Sequence, residues 1–308
     1  MAKIGVVGTG FVGASSAYAM TLAGVGNDMV LVDVNTARAQ AEAADIGHAA
    51  SLSSGMRVVA GDYAALQGAA VVVIAAGVNQ KPGESRLDLL SRNVQIFRSI
   101  IPEIVRHAED AVVLVTTNPV DIMTEVTKCL HPHPERVLGS GTLLDTARFR
   151  TLLGRECGIS PRYIHANVLG EHGDSAVLCW DGARLAGLPL AEFMGAALDE
   201  EKKKSIEAGV RDAAATIIAG KQATYYGIGA AVSKIVSGIL GDKRGVYTVS
   251  AESPYGVCLS LPRVVGAGGV CRTVMPHLSV AEQAEMQASA EVLKQSLLGV
   301  VENGKLLV

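Results

Sequence analysis

The chain has 308 residues, enough for two domains around a shared cleft, and 49% of them are hydrophobic, which predicts a well-buried core. With charged residues at 19% and a formal net charge of −3, there is no basic footprint for nucleic acid, and so little charge predicts surface hidden between subunits of an oligomer. Five scattered cysteines without a C-x-x-C pair argue against a disulfide framework or zinc site, and no apolar run reaches the ~18 residues of a membrane span.

The chain enters its first strand by Lys3 without a signal-like stretch, so a cytoplasmic protein is expected. Residues 4–7, 29–32, 57–59, 71–75 and 112–116 read as buried parallel strands, with a shorter one at 136–138. Between them, 14–22, 37–50, 87–107 and 121–130 read as helices. Strand–helix alternation of this kind predicts an α/β fold with a doubly wound parallel sheet over residues 1–140.

The first strand runs into Gly8-Thr9-Gly10-Phe11-Val12-Gly13. Gly8 permits a tight turn, Gly10 lets backbone approach a pyrophosphate, and Gly13 lets the helix pack against the sheet. Alone, a GxGxxG is a weak signal. Here it follows a strand, opens a helix, and has Asp33 at the end of the second strand, which is the context of a dinucleotide site. Asp33 can accept from a ribose hydroxyl pair and would repel a 2′-phosphate, so NAD is expected over NADP. Arg38 lies just beyond; it would soften that preference by reaching a phosphate, and otherwise reads as a solvated helix charge.

Residues 76–86 follow the fourth strand, where loops border the ligand crevice of such sheets. Gly77 and Pro82-Gly83 punctuate a segment expected to turn and close over a ligand. Arg86 stands at the start of the next helix, where the dipole disfavours a cation, which hints at a ligand. The fifth strand ends in Thr117-Asn118-Pro119, with Asn118 at the same rim as helix cap, ligand contact or both.

A helix predicted over 143–153 carries Asp145, Arg148 and Arg150. Asp145 and Arg148, spaced i, i+3, share a face, whereas Arg150 is turned about 140° away from Asp145. An apolar run at 163–169 then gives way to Gly170-Glu171-His172-Gly173-Asp174-Ser175. A His where a strand runs out into a loop suits proton transfer near neutral pH, although most loop histidines are merely solvated. Further on, strands at 246–250, 257–261 and 270–273 mix with helices at 199–220, 223–240 and 281–298, which predicts an α+β domain over 141–308 with a loosely ordered tail from 302.

Taken together, Gly8-x-Gly10-x-x-Gly13, Gln80-Lys81-Pro82-Gly83-Glu84-x-Arg86, Thr117-Asn118-Pro119, Asp145-x-x-Arg148 and Leu169-Gly170-Glu171-His172-Gly173-Asp174-Ser175 resemble the L-lactate/malate dehydrogenase family in order and spacing, across essentially the whole chain. The resemblance implies a Rossmann domain followed by a catalytic α+β domain, and NAD-linked interconversion of pyruvate and L-lactate. It implies His172 as proton donor, Asp145 as the partner of its other ring nitrogen, Arg148 as a carboxylate fork and Arg86 as stabiliser of the carbonyl oxygen. Asn118 and Thr224 would complete the wall, and Val12, Tyr63, Gly77, Asn118 and Ser140 would join Gly8, Gly10, Gly13, Asp33 and Arg38 around the coenzyme.

Gln80 stands where malate dehydrogenases of the family carry an Arg, and a dicarboxylate there would bury an unpaired charge at about 3–5 kcal/mol. Pyruvate is therefore expected over oxaloacetate, with a branched 2-oxo acid open if the pocket is wide. Arg150 and His165 match positions that bind fructose 1,6-bisphosphate in allosteric members, and the resemblance also implies a homotetramer. Malate dehydrogenase is the nearest alternative; a non-catalytic NAD-binding protein is the alternative from another class.

Overall fold

The computed structural model describes residues 2–78, 86–302 and 305–307. Its first half follows the predicted alternation: β1 (Lys3–Val7), α1 (Phe11–Leu22), β2 (Asp28–Val32), α2 (Thr36–Ser51), β3 (Arg57–Ala60), β4 (Ala69–Ile74), α3 (Arg86–Ala108), β5 (Val112–Val115), α4 (Val120–Leu130) and β6 (Val137–Gly139). These six strands pair in parallel in the order β3-β2-β1-β4-β5-β6. Both faces are covered, which is why the strands are apolar runs: in β4, Val71 and Val73 join one core while Val72 and Ile74 join the other. The order reverses between β1 and β4, and that switch point opens the ligand crevice at their carboxyl ends.

The second half contains α5 (Leu143–Cys157), β7 (Ile164–Leu169), β8 (Val177–Leu185), β9 (Leu188–Pro189), α6 (Leu190–Met194), α7 (Glu200–Arg211), α8 (Ala213–Lys221), α9 (Tyr226–Leu240), β10 (Gly245–Ala251), β11 (Leu259–Gly266), β12 (Gly269–Thr273) and α10 (Val280–Leu297). It does not build one sheet of its own. β10, β11 and β12 extend the parallel sheet beyond β6 in antiparallel fashion, giving nine strands, whereas β7-β8-β9 form a separate sheet. A third core of Phe149, Leu153, Ile164, Val168 and Leu178 lies between that small sheet and α5.

Two predicted elements differ. The helix expected over 199–220 is divided at Asp212, which closes α7 and opens α8, consistent with the poor fit of Asp inside a helix. The tail, expected to be loose, pairs β13 (Val301–Glu302) with β14 (Lys305–Leu306). Side chains close several helix ends: Asn35 caps α2, Asp199 caps α7, and Ser279 with Glu282 forms a capping box on α10.

Arg263 in β11 is only 2% exposed. Its guanidinium donates to the carbonyls of Val249, Ala251 and Leu259 and to Thr273 Oγ1, at 3.2, 2.9, 3.3 and 2.7 Å, tying β10, β11 and β12 together. Burial pushes its pKa down to about 10, which still leaves it charged at neutral pH.

Candidate active site

The three glycines of the first loop hold three different environments. Gly8 has φ +93°, and a Cβ there would collide with the backbone of Ala75 and Ala76. A Cβ on Gly13 would overlap the Gly8 carbonyl, whereas a Cβ on Gly10 would meet nothing within 4 Å. Gly10 is the N-cap of α1 and supplies no side-chain cap, so the first N–H groups of that helix receive none from it, and the space beside Gly10 is open. That is the shape an anionic pyrophosphate needs.

Asp33 stands beside this loop at the end of β2. Its Oδ2 accepts from Thr9 N–H at 2.6 Å and Thr9 Oγ1 at 2.9 Å, and its Oδ1 accepts from Asn35 N–H at 2.9 Å. Burial by itself would raise the pKa, but these hydrogen bonds outweigh it and hold the carboxyl below its ordinary value. A carboxylate has about four acceptor positions, so capacity remains for a ribose hydroxyl. Asp33, Gln40, Gly61 and Tyr63 line one cavity of about 230 Å³. Arg38 pairs with Glu42 across one helical turn at 3.6 Å and lies over the Phe11 ring, 6.0 Å from its centroid. Val12 is in the first turn of α1, and Ser140, 4% exposed, follows β6 with its N–H on the Val115 carbonyl. Gly77 lies against Thr117 and Asn93, where a Cβ would be crowded.

The predicted proton-transfer residues do meet. His172 Nδ1 lies 2.6 Å from Asp145 Oδ2, and Arg148 Nη1 donates to Asp145 Oδ1 at 2.8 Å. One carboxylate therefore serves both cations, which places the His172 imidazole next to the Arg148 guanidinium. The side chains of Asp145 and Arg148 are 9% and 14% exposed, so this is no solvated surface pair. Burial disfavours the His172 imidazolium, but the hydrogen bond and charge of Asp145 overcome that, with help from Asp121, and the pKa ends raised. For Asp145 burial acts to raise the pKa; His172 and Arg148 together bring it below the usual carboxyl value.

The loop that carries His172 is tied at several points. Glu171 N–H donates to Ser289 Oγ of α10 at 2.8 Å, Ser175 Oγ donates to Glu171 Oε2 at 2.5 Å, and His172 N–H donates to Asp121 Oδ2 at 2.7 Å. His172 and Asn118 line a cavity of about 540 Å³ together with Leu89, Pro119 and Val292. Pro119, after a cis peptide bond, is the N-cap of α4, so the Asn118 side chain is left for the cavity rather than the cap.

Other predicted residues lie elsewhere. Thr224 is in the short link between α8 and α9 and does not line the His172 cavity. Arg86 is the first residue of α3, and its side chain lies outside the described residues, as does all of Gln80. Arg150 turns away from Asp145, as its helical position predicts: its Nε donates to the Ala166 carbonyl at 2.7 Å and its Nη2 to Asn167 Oδ1 at 3.2 Å. It lines a separate cavity of about 750 Å³ with Arg162 and Lys234, while His165 is exposed on β7.

Sequence reasoning missed Asp121 and Ser289, which hold the His172 loop from behind. Asp121 was visible only as the first residue of the helix predicted over 121–130, and nothing in the spacing tied it to a histidine 51 residues later.

A family model for the lactate/malate dehydrogenase NAD binding domain matches residues 2–139, and one for the lactate/malate dehydrogenase alpha/beta C-terminal domain matches residues 142–303. An L-lactate dehydrogenase of Deinococcus radiodurans is 53% identical over 296 residues, covering 95% of this chain and 97% of the relative. One of Thermus aquaticus is 49% identical over 301 residues, covering 95% and 97%. Among solved structures, the minor L-lactate dehydrogenase of Enterococcus mundtii in ligand-bound form is similar with a TM-score of 0.95 and 39% identity, covering 97% of this chain and 98% of that one.

Proposed function

Since this chain belongs to the lactate/malate dehydrogenase family and takes NAD as cofactor, we propose that it is an L-lactate dehydrogenase interconverting pyruvate and L-lactate. The observation that carries the reading is the shared Asp145 carboxylate, which draws His172 and Arg148 into one cluster beside the cleft. Residues 1–140 bind the coenzyme, with the open N-terminus of α1 at Gly10 toward the pyrophosphate and Asp33 toward a ribose; residues 141–308 supply the substrate chemistry. When bound, NADH provides the hydride.

The remaining work falls to the protein. Asp145 accepts from His172 Nδ1 and so leaves Nε2 to carry the proton toward the substrate. In the reducing direction that proton goes to the carbonyl oxygen as it becomes the lactate hydroxyl; in the oxidising direction Nε2 takes it back. Arg148 grips the substrate carboxylate with nitrogens not used on Asp145, a fork that Lys could not form. Arg86 stabilises charge on the reacting oxygen, Asn118 adds to the wall of the His172 cavity, and Val12, Tyr63, Gly77 and Ser140 add to the coenzyme contacts. Gln80, neutral where oxaloacetate would need a cation, favours pyruvate.

The reading extends to a homotetramer activated by fructose 1,6-bisphosphate through Arg150 and His165. Three cations, Arg150, Arg162 and Lys234, line one cavity away from the proton-transfer cluster, and that supports a phosphate ligand. A cytoplasmic setting suits the five free cysteines, and no helix among the described residues is long and apolar enough to cross a membrane. The experiment is a steady-state panel of pyruvate, oxaloacetate and branched 2-oxo acids with NADH, with and without fructose 1,6-bisphosphate. Pyruvate should give the highest kcat/KM; preference for oxaloacetate would refute the lactate reading, and saturation curves indifferent to the sugar bisphosphate would refute the activator site.

A further inference from the structure

Asp121 is 2% exposed in the first turn of α4, and its Oδ2 accepts from the His172 backbone N–H at 2.7 Å. Its Oδ1 is buried without a hydrogen-bond partner among the described residues, and so is Ser250 Oγ on β10, which lies close enough to favour the ionised carboxylate. A carboxylate this enclosed is expensive to keep charged, and burial pushes its pKa up to about 6 despite the counteracting pull of Ser250 and His172. An amide would make the same backbone contact without that penalty. The placement therefore calls for a role in the charge itself.

We propose that Asp121 is a positioning residue of the proton relay, whose Oδ2 fixes the His172 backbone and whose negative charge supports the His172 imidazolium in addition to Asp145. The two carboxylates divide the task. Asp145 orients the ring through Nδ1, while Asp121 acts through the main chain and the field. The other titratable groups acting around Asp121 are Glu171, beside His172, and Cys258, ahead of β11; Glu125, one turn along α4, is paired with Lys128 at 2.9 Å and accepts from Cys258 N–H. Glu171 opposes ionisation of Asp121, and the Cys258 thiol is held neutral by burial first and by Glu125 second, so among the described residues it is His172 that offers Asp121 a countercharge. The N-terminus of α4 adds a favourable dipole for an anion in its first turn.

The proposal rests on His172 being the proton carrier, so the test separates the two ideas. In the full-length chain, the pH dependence of His172 modification by diethyl pyrocarbonate, followed by peptide mass spectrometry, reports its protonation without any substrate. Asp121→Asn retains an oxygen for the His172 N–H, and its amide offers Ser250 Oγ a donor. The midpoint for His172 should move to lower pH, and the alkaline limb of pyruvate-reduction kcat/KM should move with it, lowering kcat/KM about 3- to 10-fold at neutral pH. Ser250→Ala should shift the midpoint the same way by less, which keeps the proposal open to refutation if Asp121→Asn does not fold. A His172 midpoint unmoved in the folded variants overturns the proposal, even if activity falls. A shifted midpoint in a chain that fails to reduce pyruvate overturns the substrate reading and leaves the role of Asp121 standing.

Discussion

Replacing Asp145 with Asn tests the proton-transfer cluster most directly, because the side chain keeps its shape and loses only its charge. Asp145 lies 2.6 Å from His172 Nδ1 and 2.8 Å from Arg148 Nη1, with a side chain 9% exposed, so solvent screens little of either contact. A hydrogen bond to a charged group contributes about 1.5–3 kcal/mol, and about 1.4 kcal/mol is tenfold in rate. Asp145→Asn should therefore lower kcat/KM for pyruvate reduction at neutral pH about 10- to 100-fold. The pH dependence carries the sign. Asp145 raises the pKa of His172, so its loss lets the imidazolium deprotonate at lower pH. Reduction needs the protonated ring, and its loss should grow as pH rises; oxidation of lactate needs the neutral ring, and its loss should shrink as pH falls. Following NADH absorbance in both directions between about pH 5 and about pH 9 reads both slopes, a range that brackets the ordinary His value. The same fractional loss at every pH, in both directions, would refute the reasoning, because it would make Asp145 a scaffold rather than an electrostatic partner.

The remaining expectations concern stability and the coenzyme. Asp121 has its pKa pushed up from 3.8 to about 6, so the folded state disfavours its charge: the stability linked to its neutral form is present below about 3.8 and lost as pH rises through about 6. Asp121→Asn should therefore raise the unfolding free energy near neutral pH, by an amount on the order of 2–3 kcal/mol and with a matching rise in Tm, and give no such gain in acid; equal gains at both would contradict this. For Asp145 the sign is reversed, since its lowered pKa contributes stability above the ordinary carboxyl value that is lost as pH falls through the folded value, and acid unfolding of Asp145→Asn should show a weaker pH dependence. Gly10→Ala should leave the unfolding free energy within about 1 kcal/mol of the parent yet weaken NADH binding measured by fluorescence, whereas Gly13→Ala should destabilise the fold by about 2 kcal/mol or more. Asp33→Asn should raise the NADH KM about tenfold or more, and an unchanged KM would detach Asp33 from the ribose.

The coenzyme half was legible almost residue by residue because each strand there is an apolar run between two helices, a pattern that local sequence carries by itself. The Asp145–Arg148 pair was legible too, since i, i+3 spacing puts both on one face of α5. Its junction with His172 was not, because the partners are 27 residues apart in sequence and meet through β7; only the family resemblance joined them. β8 escaped notice because Asp181-Gly182 interrupts its apolar run, and its pairing with β7 shifts register between His165 and Asn167. That β10, β11 and β12 continue the first sheet was equally hidden, as strand order is a long-range property that no local window contains.

That continuation bears on what happens if the chain is severed after Ser140. Gly139 pairs with Ser250, and a Cβ at Gly139 would press on Ser250 and Thr124, so the seam between the halves is a close backbone approach. A fragment ending there would keep its phosphate loop but expose the outer rim of β6 as a raw edge, a template for pairing with other copies. The nucleotide half is then no detachable module: expressed alone it should aggregate, and adding back the missing C-terminal half should rescue it.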